Sequence, residues 1–197
     1  MSTPAVARGP ALAVILGVAS AACAQGSKMD STDAHAPLTQ AAVAAGWAAD
    51  DIELLPDTRL DRGGCTFHAA LHRKTLDAPS LALATLPDGS VVAAGDSAGA
   101  VRVLDRCGAD APPEWWAEVV SRFAEGAAGK VVRPSNAADI EAIEQRGGRY
   151  RAPDLGRDGD ATVLTFHVIQ SEPKRPAAVT ATLSGGRLTV TREPIGD

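Results

Sequence analysis

Residues 81–94 read LALATLPDGSVVAA, and this stretch decides the fold class that we predict for the chain. Two β-prone runs flank Pro87-Asp88-Gly89, and a glycine-bearing turn between such runs is typical of a β-hairpin. Residues 178–192 repeat the pattern and turn through Ser184-Gly185-Gly186. The sequence therefore predicts two hairpins, and hence antiparallel sheet, in two separate parts of the chain.

Three short matches recur in the same order along the chain. They are Pro56-Asp57 with residues 153–154, Thr66-Phe67-His68 with residues 165–167, and Ala84-Thr85-Leu86 with residues 181–183. The offsets are 97, 99 and 97 residues. Self-similarity at nearly one offset predicts an internal duplication, with copies at about 38–96 and 134–193. The alternative is a coincidence of ordinary strand and turn composition.

Each copy is predicted to begin with a helix, at about residues 39–47 in the first copy and 135–145 in the second. The second helix has Ser135 or Asn136 available as its N-cap, and glycines at 147 and 148 to end it. A Pro-Asp segment rich in Asp, Arg and Gly follows each helix, and this composition predicts a turn.

A strand is predicted after each turn, near residues 65–74 and 162–170. Alternate residues of a strand point to opposite faces, so one face of each strand is predicted to be apolar. The residues of the apolar faces are Phe67, Ala69 and Leu71 in the first strand and Leu164, Phe166 and Val168 in the second. The opposite faces then carry His68 and His72 in the first copy and His167 in the second.

A helical insert, at about residues 97–126, separates the two copies. Ala100, Val103, Leu104 and Cys107 are spaced as one face of a helix, and Pro112-Pro113-Glu114 is typical of the start of another. The sequence thus predicts a single α+β domain over residues 38–197. It would consist of an antiparallel sheet from two duplicated helix-plus-three-strand units, with helices on one face and the helical insert between the copies.

The first 24 residues have the pattern of a secretion signal. Arg8 supplies a positive charge, residues 11–22 are uncharged and apolar, and small residues follow as far as Ala24. The apolar stretch is too short to span about 30 Å of hydrocarbon comfortably. We therefore expect residues 1–24 to act as a signal peptide and the mature chain to be periplasmic or secreted, without a transmembrane segment.

Two processing routes stay open at Cys23. Ala22-Cys23-Ala24 fits a cleavage site of the A-x-A type, which would make Gln25 the new N-terminus. Ser20-Ala21-Ala22-Cys23 resembles a bacterial lipobox, in which the cysteine is lipidated and anchors the chain to the membrane, although Ser20 stands where an aliphatic residue is usual. Residues 25–37 are small and polar, and they predict a flexible tether on either route.

The cysteine count predicts one disulfide. Either route removes Cys23 from the free thiols, so only Cys65 and Cys107 remain of the three cysteines. An exported protein meets an oxidising compartment, and we therefore expect these two to be joined. Closing that loop is worth about 3–4 kcal/mol in the chain-entropy model. The alternative is two free buried thiols in a cytosolic protein.

The charge of the chain argues against nucleic acid as a partner. The formal net charge is −5, and an acidic protein gains nothing from a phosphate backbone. The sequence contains no G-x-S-x-G, H-E-x-x-H or P-loop pattern, and the acidic pair Asp158 and Asp160 lacks the remaining ligands of a calcium loop. We assign no catalytic residue, cofactor or metal.

Four residues are candidates for a binding surface: His68, His72, His167 and Trp116. His68 and His167 hold the same place in the two copies and could approach each other across a pseudo-twofold axis. Zinc would need a third protein ligand, which the sequence does not offer, so the alternative is polar residues on the wet face of a sheet. Trp116 is about 100° around the helix from Trp115, which predicts a place at the edge of the core or in a binding surface.

These patterns favour an exported small binding module over an enzyme. Its partner is expected to be another protein or an envelope component, as for an inhibitor, an immunity-type protein or an envelope accessory protein. One alternative is a small periplasmic hydrolase or ligand-binding protein that uses the His68/His167 strand face. A second alternative is a structural envelope lipoprotein anchored through Cys23.

Overall fold

The computed structural model describes residues 31–73, 80–95, 97–170 and 175–196. It has the predicted α+β architecture, with helices between two groups of antiparallel strands. The predicted signal peptide and Cys23 lie outside the described residues. Within the described ranges, we find no helix of the length and apolarity needed to cross a bilayer.

The first unit is a helix followed by a four-stranded sheet. Helix α1 (Ser31–Ala44) is followed by a short 3-10 turn at Ala49–Asp51. The strands are β1 (Ile52–Pro56), β2 (Thr66–His72), β3 (Leu81–Thr85) and β4 (Val91–Ala93). Each strand pairs antiparallel with the next, so the sheet is a simple meander.

The second unit repeats this order with longer strands. Helix α4 (Ala137–Glu144) begins after Asn136, whose side chain accepts a hydrogen bond from the Asp139 backbone N–H at 3.3 Å. The strands that follow are β6 (Asp154–Asp158), β7 (Ala161–Gln170), β8 (Arg175–Ser184) and β9 (Arg187–Pro194). A short strand that precedes the helix, β5 (Lys130–Val131), pairs with the far end of β7. A common origin of the two units stays a prediction.

The insert between the units consists of the two predicted helices, α2 (Ser97–Cys107) and α3 (Pro113–Phe123). Phe67 of β2 meets the rings of Trp115 and Phe123 edge to face, at centroid distances of 6.0 and 6.1 Å. Leu164 and Phe166 of β7 join the same cluster of buried residues. The insert helices therefore share one main core with the inner faces of both sheets.

The predicted disulfide between Cys65 and Cys107 is present, and its Cα atoms are 6.0 Å apart. It ties the loop before β2 to the last residue of α2. Gly63 makes the close approach feasible, because its φ is +58° and an added Cβ would lie 3.2 Å from the Cys107 carbonyl oxygen. The first unit and the insert are thus covalently joined.

The strands form two sheets instead of one, and the helices do not lie on one face. Leu83 and Ala84 are neighbours in β3 and must point to opposite faces, yet both are fully buried. Leu83 packs with Leu38 and Ala42 of α1, whereas Ala84 belongs to the main core. The first sheet is therefore covered on both sides along β3, since that strand is apolar on both faces.

Residues 31–37 are helical, although the sequence predicted a flexible tether over residues 25–37. Helix α1 begins at Ser31, well before the predicted start near residue 39. The correction has a packing cause, because Leu38 and Ala42 are buried against Ile52 and Ala70 of the first sheet. Anchoring these two residues gives the preceding turns a docked helix to extend, even with Pro37 inside it.

The Pro-Asp segment of the second unit is mostly strand, whereas the sequence predicted a turn. Asp154 to Asp158 form β6, which pairs with β7 from Thr165 back to Ala161. The turn is confined to Gly159 and Asp160, with Gly159 at a φ of +59°. Local composition predicted too long a turn, because it does not show that hydrogen bonds to β7 extend the strand through these residues.

The strand register shows that one of the three sequence matches does not join equivalent residues of the two sheets. Phe67 pairs with Ala84 in the first sheet, and Leu164 pairs with Ala181 in the second. The residue equivalent to Phe67 is therefore Leu164, at the same offset of 97 as the alanine pair. The second Thr-Phe-His match lies two residues further along its strand than the register requires.

His68 and His167 consequently do not hold the same place in the two units. His68 pairs with Leu83, and the equivalent pair in the second sheet is Thr165 with Thr180. A shift of two residues keeps a side chain on the same face of the sheet, so both histidines still lie on outer faces. Matching short sequence segments identified the correct strands but gave the wrong register.

Candidate functional site

His68 and His72 lie on the outer face of β2, next to helix α1 and the residues that follow it. The His68 ring is 6.0 Å from the ring of His35, and the His72 ring stacks on Trp47 at 4.0 Å. Burial and the nearby His35 lower the pKa of His68, while Asp61 acts weakly in the opposite direction. The Nδ1 atom of His68 is buried and has no hydrogen-bond partner in the described part of the chain.

His167 lies in the other sheet and is buried, with 9% of its surface exposed. Its ring is 5.8 Å from the ring of Tyr150, and its Nδ1 is 3.2 Å from the Arg151 carbonyl oxygen, to which it donates. Burial lowers the pKa of His167 more than this hydrogen bond raises it. The alternative interpretation, a polar residue on a wet face, is therefore wrong for His167, because neighbouring residues cover that face.

Trp116 is half-buried at the edge of the main core. Its Nε1 donates to the Gly108 carbonyl oxygen at 3.3 Å. Trp115 is buried and its Nε1 donates to the Leu60 carbonyl oxygen at 2.9 Å, as expected for a core residue with a polar end. The four predicted binding residues thus lie on three elements, β2, β7 and α3, and have different neighbours.

The histidines do not form a metal centre in the described residues. Among these residues, no group of three or more His, Cys, Asp or Glu side chains is arranged to hold a metal ion. His68 and His167 belong to separate sheets, each with its own ring partner.

A cleft of about 870 Å³ lies where the first unit, the insert and the second unit meet, and we call it the seam cleft. Its polar and charged lining residues are Asp57, Arg59, Ser80, Glu118, Ser121, Arg122, Lys130, Arg133, Ser135 and Asn136. The first three belong to the first unit, the next three to α3, and the rest to β5 and the approach to α4. None of the three parts forms the cleft alone.

A chain of ion pairs runs across the seam cleft. Asp57 accepts from Arg59 at 3.0 and 3.2 Å, and it also accepts from Arg122 of α3. Arg122 in turn donates to Glu118 at 3.2 Å, and Glu118 accepts from Arg133 at 3.1 Å. The alternating signs connect the first unit to the second through α3.

The acids in this chain of ion pairs are mostly buried, whereas the bases at its two ends are exposed. The side chains of Asp57 and Glu118 are 11% and 13% exposed, whereas those of Arg59 and Arg133 are 65% and 47% exposed. Lys130, at 60% exposed, is similar: its Nζ lies 2.8 Å from Asp139, which is almost fully buried. The surface that the cleft presents to solvent is therefore positive, in a chain whose net charge is −5.

The environment of Asp57 keeps it ionised. Burial raises the pKa of this carboxyl, but hydrogen bonds from Arg59 and Arg122 and their positive charges outweigh burial and lower the pKa overall. Ser121 fixes the opposite wall by donating from Oγ to the Gly129 carbonyl oxygen at 2.8 Å. The cleft is thus a preformed, partly neutralised cationic surface.

Sequence reasoning did not find the seam cleft. Its charged residues are spread from Asp57 to Arg133 and form no motif. Two pairs are local: Asp57 with Arg59, two residues apart, and Glu118 with Arg122, four residues apart on one helix face. The remaining pairs depend on contacts between distant parts of the chain, which no spacing rule predicts.

Comparisons of the chain with family models, curated proteins and solved structures found no match. The function must therefore be argued from the geometry of this chain's own residues. Six charged side chains from all three parts of the fold line the seam cleft.

Proposed function

We propose that the protein is an exported binding module whose seam cleft takes an acidic segment of a partner protein. The observation that best supports this proposal is the position of the charges. Asp57 and Glu118 lie beneath the more exposed Arg59, Lys130 and Arg133. Exposed cations over buried, paired acids present positive charge to a partner. Electrostatic complementarity of this kind gives specificity and speeds association.

The size and lining of the cleft favour a protein segment over a small metabolite. A volume of about 870 Å³ accommodates several side chains, and the cleft opens to solvent along the seam. Ser80 and Ser135 line the cleft together with the cations, and this mixture of hydroxyl and positive groups suits a polypeptide with acidic side chains. An inhibitor, an immunity-type protein or an envelope accessory protein would each use such a surface.

Export is the second part of the proposal. The Cys65–Cys107 disulfide is compatible with an oxidising compartment, and the N-terminal residues have the pattern of a secretion signal. The protein would be periplasmic or secreted, with Cys23 either removed or lipidated as an envelope anchor. The intact mass of the protein from the envelope and from the medium distinguishes an N-terminus at Gln25 from an acylated Cys23, and an unprocessed cytosolic chain would refute export.

Binding is tested by neutralising the exposed cations of the seam cleft. The variant Arg59→Gln/Lys130→Gln/Arg133→Gln, which we call the seam variant, serves as bait in envelope extracts beside the natural chain. The matched control is Arg149→Gln/Arg157→Gln/Arg187→Gln, which removes three exposed charges elsewhere. We expect a partner that is retained by the natural chain and the control but is lost from the seam variant.

Salt provides an independent check on the same complex. Raising ionic strength from about 0.1 M to 1 M shortens the screening length from about 10 Å to 3 Å and should release the partner. A partner that stays bound to the seam variant, or that is lost equally from the control, would refute the seam cleft as the binding site.

A further inference from the structure

A smaller cavity, of about 450 Å³, adjoins the seam cleft, and we call it the Trp115 pocket. Its apolar lining residues are Leu60, Pro112, Trp115, Val131 and Pro153. They come from the segment between β1 and β2, from α3 and the residue before it, and from β5 and the residue before β6. The pocket is therefore assembled from the same three parts of the fold as the seam cleft.

The inner surface of the Trp115 pocket is apolar and well fixed. Leu60, Trp115 and Val131 are 4%, 7% and 3% exposed. The Nε1 atom of Trp115 already donates to the Leu60 carbonyl oxygen at 2.9 Å, and its ring meets Phe67 edge to face. The indole therefore offers carbon atoms, and not its polar atom, to a ligand. Apolar pockets of this kind take the anchor side chains that contribute most to binding.

Charged side chains surround this apolar surface. The residues that the pocket shares with the seam cleft are Arg59, Glu118, Arg122, Val131 and Arg133. The two cavities are therefore neighbours, and part of the chain of ion pairs is common to both. Arg62 lines the Trp115 pocket as well, and its Nη2 donates to the Asp110 carbonyl oxygen at 2.6 Å. With four arginines and two glutamates, Glu114 and Glu118, the described lining of the pocket is positive on balance.

We infer that the acidic segment bound at the seam cleft carries one large apolar side chain, such as Leu or Phe, which occupies the Trp115 pocket. The inference rests on the proposed function, because the acids of the same segment contact Arg59, Lys130 and Arg133. The apolar side chain adds affinity by leaving water, and the arginines common to both cavities fix its distance from the acids. A segment with the same acids and no apolar side chain fills only one of the two cavities.

The test begins with the selection of a random peptide library, displayed on phage, against the purified full chain. We expect the retained peptides to share acidic residues and one large apolar residue at a constant distance from them. Replacing that apolar residue by Ser in a synthetic copy of a retained peptide should weaken binding about tenfold or more, because the burial of its side chain is lost. Fluorescence anisotropy of the labelled peptides measures both affinities.

A substitution at the mouth of the Trp115 pocket tests where the apolar side chain binds. Pro112→Phe, which we call the pocket variant, adds a ring at an exposed lining residue and leaves every charge in place. It should bind the retained peptide and its Ser derivative with the same affinity, close to that of the natural chain for the Ser derivative. The matched control Ala109→Phe adds the same ring at an exposed position of the same loop that does not line the pocket, and it should keep the preference.

The outcomes separate this inference from the proposed function. Retained peptides that are acidic but share no apolar position, or a Ser derivative that binds as tightly as its parent, would overturn the inference and leave the proposed function standing. A preference that survives in the pocket variant would overturn it too, because the apolar residue would then bind elsewhere. Retained peptides without acids, or peptides that the seam variant binds as well as the natural chain does, would overturn both. Unchanged thermal midpoints show that the variants are folded.

Discussion

The seam cleft and the cavity lined by Arg146, Arg175 and Arg192, which we call the arginine cavity, are both rich in cations, and of these two only the seam cleft has acids among its described lining residues. Arg122 lies between Asp57 and Glu118 and helps to connect the parts of the protein. Arg192, in the other cavity, donates to the neutral Ala128 carbonyl oxygen. Within the seam cleft, the mostly covered Arg122 connects the parts of the fold, whereas the more exposed Arg59 and Arg133 face solvent above the same acids.

The largest expected effect comes from removing the disulfide, which lies next to the seam cleft. Cys65→Ser/Cys107→Ser should lower the free energy of unfolding by about 3–4 kcal/mol, because the disulfide closes a loop of roughly 40 residues. Without the disulfide, the segment between β1 and β2 is no longer tied to α2, and this segment carries Asp57 and Arg59 of the seam cleft. Urea denaturation measures the loss, and a change below about 1 kcal/mol would contradict the predicted role of the crosslink.

Among folded molecules of the cysteine variant, the two cavities should respond differently. Partner binding at the seam cleft should weaken because one wall is less constrained. Backbone NMR chemical shifts around the arginine cavity should stay as in the natural chain, since its described lining residues all belong to the second unit. Shift changes there as large as those at the seam cleft would show that the cavities are not independent.

A pair of single substitutions sharpens the comparison at the level of stability. Arg122→Ala leaves two mostly buried carboxylates with one cationic partner fewer, and we expect a loss of about 2 kcal/mol in unfolding free energy. Arg192→Ala removes an arginine that donates to a neutral carbonyl oxygen, and it should change stability by less than about 0.5 kcal/mol. Urea midpoints of the two variants, measured side by side, test this difference. Similar midpoints would show that Arg122 stabilises the fold no more than Arg192 does.

A smaller effect is expected in the pH dependence of stability. The pKa of Asp57 is lower in the fold than its ordinary value of 3.8, so between these two values the unfolded chain binds more protons. The stabilising contribution of Asp57 is therefore complete above pH 3.8 and is lost as the pH falls through the lower, folded value. Asp57→Asn should flatten the acid limb of a curve of urea midpoint against pH.

The arginine cavity supplies the control for this pH effect. None of its described lining residues is an Asp, a Glu or a His. Arg192→Ala should consequently follow the acid limb of the natural chain. A flattened limb in this variant would mean that the Asp57 pair is not the source of the effect.

Local patterns predicted much of the fold. Glycine-bearing turns between β-prone runs located both hairpins, the apolar spacing of Ala100 to Cys107 located α2, and the cysteine count gave the disulfide. Each of these features depends on residues close together in sequence or on a single pairing option. Leu83 beside Ala84 was the overlooked signal that the sheet is covered on both faces.

The remaining features could not be predicted because they depend on pairing over long distances. The register of β7 against β8 decides that Leu164, not Phe166, is equivalent to Phe67. Burial of His167 follows from where Tyr150 and Arg151 pass over the sheet. The seam cleft likewise joins residues separated by as many as 65 positions, as for Asp57 and Arg122.

The most direct test of the role proposed for the seam cleft is the affinity of the seam variant for an acidic peptide that the natural chain retains. If the exposed cations of the cleft bind the acids, the seam variant should lose at least about tenfold in peptide affinity, while the matched control with three arginines replaced elsewhere changes by less than about twofold. Should the control lose peptide affinity as strongly as the seam variant, binding of acids would reflect the total charge of the chain, and the seam cleft would have no separate role.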